Sequence, residues 1–443
     1  MTPQTPGDPL PGGQRSPAPS QPPGDPLPGA DLCRFCGAPL GLTLLDLGEL
    51  PLANSYLEPA ELEHPEPRFP LKPKVCERCW LVQIPELERA ETIFSDYAYF
   101  ASYSDSWLDH CERYSRAAIE RFALGPASRV VEAASNDGYL LQYFARAGVP
   151  VLGIEPATNV AAAAESKGIP TRRAFFSEAL ARELQASGLA ADLFVGNNVL
   201  AHVPDLNDFV RGIYAVLTPE GVATLEFPHL LRLLDEGQFD TIYHEHFSYF
   251  SLGTVLRVFA AHGLDLFDVD ELPTHGGSLR VYARRARPGL PPEPGAARVA
   301  DLLERERAAG LEDAAAYRAF AARAREVRDE LVVFLRAARS DGASVLGYGA
   351  PAKGNTLLCW SKVGPDLLPF TVDRSPHKQG RFLPGSRIPV RSPDDLLAAR
   401  PDYVLILPWN LRDEIVGQMR AVGGWGGRFV VAVPQLEVLE PPA

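Results

Sequence analysis

Residues 128–157, SRVVEAASNDGYLLQYFARAGVPVLGIEPA, decide how the chain folds. An apolar run through Val130 and Val131 ends in Glu132. A tight turn follows at Asn136, Asp137 and Gly138, and YLLQYFARA then carries the apolar spacing of a helix. VPVLGI makes a second apolar run and ends in Glu155. Strand, glycine turn, helix and strand in this order are the repeating unit of a doubly wound α/β sheet. DLFVGNNVL (192–200) and GVATLEFP (221–228) supply further strands, so the fold class is α/β.

Open sheets of this kind bind ligands beyond the carboxyl ends of their strands. Glu132 stands at such an end and can meet a cationic or hydroxyl-bearing group. Glu155, at the end of the second strand, is placed for a ribose diol. Gly138 permits close backbone approach or a positive φ. The loop through Ala134 and Asn136 lacks GxGxxG spacing and the diglycine turn that a pyrophosphate needs. S-adenosylmethionine therefore suits it better than NAD. The plainer reading is a strand–loop–helix junction with acidic surface residues. A third strand runs into Asn197, Asn198 and His202, again at a strand end. A packed or capping histidine explains His202 about as well as a ligand contact.

Working toward the N-terminus, 95–125 reads as helical, around SDSWLDHCERYSRAAIERFA. Before it stand two knuckles, CRFC with Cys33 and Cys36, and CERC with Cys76 and Cys79. Four thiolates so spaced suit a tetrahedral zinc ion at about 2.3 Å. Residues 31–92 otherwise show weak periodicity, as in a module organised by its metal. Residues 1–30 are rich in Pro, Gly and Ser and repeat PGDPLPG at 6–12 and 23–29. Such a segment buries too little apolar surface to offset its ordering entropy and is expected to be disordered. A polyproline arm for a partner is the lesser alternative.

Working toward the C-terminus, FDTIYHEHFSYFS contains Tyr243, His244, Glu245 and His246. On a helical turn Tyr243 and His246 would share a face. A phenol and an imidazole so placed can take a proton and stabilise an oxyanion. The HxH pattern also allows a metal, which the lack of a neighbouring ligand cluster disfavours, and a structural role is the bland reading. PTHGGSLRVY places His275, Gly276 and Gly277 before a strand, for a close backbone approach or simply a hairpin turn. The first α/β domain thus spans 93–290 and a helical connector 291–340. A second α/β domain, 341–443, opens with ASVLGYGAPAKGNTLL. Backbone N–H groups at that helix start suit a pyrophosphate. Tyr348, Lys353, Asn355, Lys378 and Arg381 are candidate contacts. With Asp373 the stretch mimics a weak dinucleotide fingerprint, but the spacing is wrong for GxGxxG.

The length of 443 residues calls for two or three domains. A net charge of −13 argues against nucleic-acid binding. No apolar run reaches the roughly 18 residues of a membrane span, and no signal peptide is expected. A cytoplasmic location follows, where CxxC pairs read as metal ligands rather than disulfides.

Together these motifs resemble the zinc-containing, S-adenosylmethionine-dependent sugar C-methyltransferases, which act on dTDP-linked 4-ketosugars in antibiotic deoxysugar biosynthesis. The resemblance spans about 31–435 and rests on CxxC…CxxC, EAASNDG, NNVLAHVP, Y-x-E-H, HGGSLRVY and GYGAxAKGN, in order and spacing. It implies a structural zinc on the four cysteines and a Rossmann-like methyltransferase domain. It implies that Glu132 and Gly138 line the methionine side of the cofactor and that Glu155 binds its ribose. Asn198 and His202 match positions lining the active site. Tyr243, Glu245 and His246 match a catalytic cluster, with His246 as base and Glu245 orienting it. His244 is given no role, and His275 lies in a family motif with a less defined one. The C-terminal domain would hold the nucleotide-sugar without a nicotinamide cofactor, and a monomer is expected. The alternatives are methylation at carbon 5 or at a sugar N or O, a non-enzymatic zinc-knuckle binding module, and an NAD-dependent sugar oxidoreductase.

Overall fold

The computed structural model describes residues 31–86, 101–287, 289 and 293–440. The proline-rich arm lies outside the described residues. In each knuckle, backbone bonds fold the chain round its first cysteine. Cys33 N–H donates to Ala38 O and Gly37 N–H to Cys33 O, and Cys76 and Trp80 repeat the arrangement with Leu81 and Cys76. The surrounding strands have two residues each: β1 (Leu42–Thr43), β2 (Glu49–Leu50), β3 (Phe69–Pro70), β4 (Lys74–Val75) and β5 (Val82–Gln83). Strands so short cannot hold a sheet alone.

The middle segment contributes β6 (Val130–Ala133), β7 (Val151–Ile154), β8 (Thr171–Arg172), β9 (Ala191–Asn197) and β10 (Leu217–Pro228). After them come β11 (Ser248–Tyr249), β12 (Leu264–Leu272) and β13 (Ser278–Arg285). Seven of these form one sheet in the order β12-β13-β10-β9-β6-β7-β8. Only β13 runs against its neighbours. Val130, Val131, Leu193, Phe194 and Val195 are fully buried, as expected of central strands covered on both faces. The order reverses at β6, between β7 and β9, which opens a crevice at their carboxyl ends.

β11 departs from chain order. It leaves its own segment and pairs with β5, Ser248 opposite Gln83 and Tyr249 opposite Val82. The four-stranded sheet β1-β4-β5-β11 therefore joins the zinc module to the strand that begins two residues after His246.

The C-terminal sheet contains β14 (Val345–Tyr348), β15 (Thr371–Val372), β16 (Val390–Arg391), β17 (Tyr403–Ile406), β18 (Arg428–Val431) and β19 (Glu437–Leu439). Its order is β16-β15-β14-β17-β18-β19, parallel except for β19. The two connecting helices part company. Ala296–Ala308 packs on β12, with Val299 and Leu302 in the core of the seven-stranded sheet. Ala314–Ser340 buries Tyr317, Phe320, Ala324, Val327, Leu331 and Leu335, a three-and-four spacing, in the C-terminal core. That core also takes Leu44, Leu45, Leu71 and Val82 of the N-terminal module, whereas Cys33, Cys76 and Cys79 pack with the core of the seven-stranded sheet.

Candidate active site

The loop after β6 is held in an unusual shape. Ala134, Asn136 and Gly138 have φ of +55, +49 and +76°. For residues other than glycine this conformation costs on the order of 1–3 kcal/mol and survives only where neighbours enforce it. Glu155 is the enforcer: Oε2 accepts the Asn136 N–H at 2.9 Å and Oε1 the Ala157 N–H at 2.8 Å. The carboxylate thus ties the end of β7 to the loop and keeps a second lone pair on each oxygen for a diol. Gly138 is glycine for another reason. A Cβ there would lie 2.9 Å from Ile169 Cγ1, so its bare face meets the core and not the crevice.

The crevice carries several buried polar atoms without hydrogen bonds. They are both oxygens of Glu132, both side-chain polar atoms of Asn197, and Asn198 Oδ1. Burial pushes the Glu132 carboxyl well above the usual range, a trend that the nearby Tyr139 hydroxyl only partly offsets. Buried polar groups are normally paired, so this set is shaped for a polar ligand.

Beside the crevice stands the histidine cluster. The expected helical turn is instead a single reverse turn, closed by the His246 N–H on Tyr243 O at 3.0 Å. Positions i and i+3 still meet, because such a turn also brings its ends together. His246 Nδ1 lies 3.0 Å from the Thr241 carbonyl and must carry the proton there. Nε2 is then an acceptor, and the Tyr243 hydroxyl donates to it at 2.8 Å. His202 Nδ1 donates to the Glu245 carbonyl at 2.6 Å, and its ring meets that of His246 at 4.8 Å, edge to face. Burial lowers His202 and His275 to about 4. Burial also lowers His246 well below the imidazole range, helped by the charge of Lys353. All three rings are neutral bases near pH 7.

Glu245 does not orient His246. Its Oε1 accepts from Asn54 N–H and Nδ2 at 3.3 and 3.2 Å, and burial raises its carboxyl. Thr241 O holds the imidazole instead, because the turn aims Nδ1 back at its own chain. His244 points away and lies 3.2 Å from Phe69 O through Nε2. Among the described residues the four cysteines are the cluster with metal-holding geometry.

His275 sits in the β12–β13 hairpin loop, as the turn reading expects. Its φ is +55°, and its Nε2 accepts from Asn198 Nδ2 at 3.1 Å. Gly276 is left bare because a Cβ would lie 2.5 Å from Trp409 Cη2. Below the loop, Glu226 bonds Thr274, His110 and Arg280 at 2.8, 2.9 and 2.5 Å. Burial works to raise this carboxyl, but those partners hold it at about 2.

The C-terminal candidates divide. Lys353 lies on the helix Ala352–Trp360, whose Thr356 hydroxyl donates to Ile242 O, one residue before Tyr243. Its ammonium donates to Asn410 Oδ1 at 2.8 Å and lies 4.5 Å from the Trp409 ring centre. Burial lowers its affinity for protons, countered by Asp240. Lys353 therefore stands toward the histidine cluster rather than in a separate phosphate cradle. Lys378 bonds Ala350 O at 2.9 Å, and Arg381 pairs with Glu58 at 2.8 Å. The Tyr348 hydroxyl reaches Gln418 at 3.4 Å. Asn355 is buried against Cys359 of its own helix.

Family models match three stretches: a zinc binding domain over 33–94, a methyltransferase domain over 107–269 and a C-methyltransferase C-terminal domain over 273–434. The C-methyltransferase NovU of Streptomyces niveus is 38% identical over 409 residues, 92% of this chain and 97% of that protein. The chain belongs to this C-methyltransferase family. Among solved structures, an S-adenosylmethionine-dependent methyltransferase from Mesorhizobium loti is 18% identical. It covers 40% of this chain and 100% of that one, with TM-score 0.32. Magnesium protoporphyrin IX methyltransferase from Synechocystis PCC 6803, with bound SAH, is 15% identical, covers 40% and 83%, and has TM-score 0.33.

The protein is an S-adenosylmethionine-dependent C-methyltransferase with a zinc-binding module. The residues fit both groups. The unpaired oxygens of Glu132 and the unpaired amide of Asn197 flank the crevice where a cationic, hydroxyl-rich cofactor would lie. The four cysteine sulfurs lie within 4.8 Å of one another, with closest pairs at 3.5 and 3.6 Å, as thiolates around one ion do.

Sequence reasoning missed Asn54, Asp240, Trp409 and Asn410. Trp409 Nε1 donates to Asp240 Oδ2 at 2.7 Å and stitches the C-terminal sheet to the segment leading into Tyr243. Its signal was available: a Trp-Asn pair just after the apolar strand β17, beside the switch point next to β14. Asn54 left no signal, since its partner Glu245 is 191 residues away.

Proposed function

We propose that this C-methyltransferase adds a methyl group to carbon 3 of a dTDP-linked 4-keto-2,6-dideoxysugar, in deoxysugar antibiotic biosynthesis. The observation that carries the reading is the half-buried Tyr243–His246 pair, with Nδ1 pinned to Thr241 O and Nε2 left as acceptor. Forming a carbon–carbon bond needs a carbanion, and a 4-keto group acidifies carbon 3 by turning that carbanion into an enolate. S-adenosylmethionine supplies an electrophilic methyl on a positively charged sulfur.

The chain's residues provide the rest. The carbon 3 proton passes to the Tyr243 oxygen as the phenol's own proton passes to His246 Nε2. The electrons of the broken C–H bond move onto the ketone oxygen. His246 is the final acceptor, and a positioned base of this kind contributes about 10² to 10⁴ in rate. Burial keeps His246 neutral and ready. Lys353 brings a buried positive charge to the side where enolate charge develops, and preorganised charge in a dry site is worth several kcal/mol. Glu132 and Asn197 face the cofactor, and Glu155 its ribose. Asn198 and His202 line the methyl-transfer path. Lys378 and Arg381, each also paired within the chain, would turn to the nucleotide, and Gly276 with His275 to the sugar.

Incubation with S-adenosylmethionine and the ketosugar in heavy water tests the proposal. A new methyl on carbon 3, lost in His246→Asn, supports it. Methyl on carbon 5, nitrogen or oxygen would replace it.

A further inference from the structure

Arg34 stands between the two cysteines of the first knuckle, and its side chain turns toward the active site. The guanidinium is partly buried and donates through Nη2 to Ile84 O. Through Nη1 it donates to Pro204 O at 3.1 Å and, at the limit, to Val203 O at 3.5 Å. Its central carbon lies 5.5 Å from the Phe247 ring centre. Val203 directly follows His202, and Phe247 directly follows His246. Ile84 N–H in turn donates to Phe247 O at 3.1 Å. One planar group thus holds the backbone just beyond both imidazoles.

The same residue is built into the zinc knuckle. Its backbone N–H donates to Gln83 Oε1 at 2.9 Å, and Gln83 Nε2 donates to Cys33 Sγ at 3.2 Å. Gln83 lies opposite Ser248 in the β5–β11 pair. Asn207 Nδ2 closes the other side, on Arg34 O and Phe35 O at 3.1 and 3.0 Å. Four thiolates around a divalent ion leave a net charge of about −2, and a guanidinium beside them suits that charge.

We propose that Arg34 is a positioning residue that couples the zinc knuckle to the spacing of His202 and His246. On this view the metal does more than staple a small module. It anchors the frame against which the two imidazoles, 4.8 Å apart, are set. The inference rests on the proposed role of His246, and its test separates the two. Arginine suits the position because its planar fork reaches Ile84 O and Pro204 O at once, which a lysine ammonium on its single stem does not.

The test compares Arg34→Ala and Arg34→Lys with the parent, all zinc-loaded. Bound zinc is measured by elemental analysis, cofactor affinity by calorimetry, and kcat and KM with the ketosugar. Hydrogen exchange is followed in peptides covering 198–206 and 241–250. In Arg34→Ala, zinc content, cofactor affinity and KM are expected to stay within about two-fold, while kcat falls by about ten-fold or more, since small misplacements of catalytic groups are costly. Free guanidinium should restore part of that kcat. Exchange should rise in both peptides. Arg34→Lys keeps the charge but loses the double reach, so its kcat should fall between the two and not respond to guanidinium. Parental kcat in Arg34→Lys overturns the proposal, even if Arg34→Ala does not fold. Unchanged exchange in both peptides overturns it whatever the substrate proves to be, and so does a loss of kcat that merely tracks loss of zinc. Turnover that survives His246→Asn removes the base assignment instead and leaves the exchange result standing.

Discussion

His246 works at the scale of one residue because its two nitrogens have different masters. Thr241 O fixes the proton on Nδ1, and burial keeps the ring uncharged. His246→Asn should lower kcat by about 10² or more and leave cofactor affinity, measured by calorimetry, unchanged. Lys353→Met should lower kcat and also shift the acid limb of the pH–rate profile upward. The sign follows from charge: the ammonium depresses both His246 and His275, so removing it lets them hold protons at higher pH. The same neutral imidazoles make stability depend on pH. His202 and His275 are lowered from 6.5 to about 4 by burial, so the unfolded chain binds more protons between these values. Stability should be complete above pH 6.5 and fall toward pH 4, by at most about 1.4 kcal/mol per pH unit for each ring. Thermal unfolding across this window, with a shallower slope in His202→Asn, checks it.

At the scale of elements, the β12–β13 hairpin delivers His275, and its loop is wedged between two domains. Glu226 grips Thr274 from below, and the Trp409 indole lies on Gly276 from above. Gly276→Ala must accept both φ of +92° and a contact at 2.5 Å. It should cost about 1–3 kcal/mol by denaturant unfolding and lower kcat more than it raises KM. The sequence announced this element through its paired glycines and following strand. It announced β6, β7, β9 and β10 equally well, since buried central strands are long apolar runs. It left the two-residue strands of the zinc module silent, because two residues show no alternation. The reverse turn at Tyr243–His246 read as a helical turn for a similar reason: both bring i and i+3 together.

For the whole molecule, chain order and packing order differ. Leu44, Leu45 and Leu71 of the zinc module share one core with Leu346, Val404 and Phe429 of the C-terminal sheet. The long helix Ala314–Ser340 belongs to that core, and Trp80 stacks on its Tyr317 with centroids 5.9 Å apart. Unfolding should therefore be a single cooperative transition, and zinc chelation should lower the midpoint for all probes together. Calorimetry with and without chelator decides this, and two resolved transitions would contradict it. Among the described residues no helix is long and apolar enough to cross a membrane.

The α/β class, the central strands and the four-cysteine cluster could all be read from the residues alone. Those properties live in local periodicity and in short motifs whose residues act together wherever they are placed. Packing alone revealed that Glu245 answers to Asn54, that Lys353 turns toward the histidines, and that Arg34 reaches behind His202 and His246. These are contacts between residues far apart in the chain. Their geometry depends on how three sheets pack, and no local pattern records a partner that folding alone brings near.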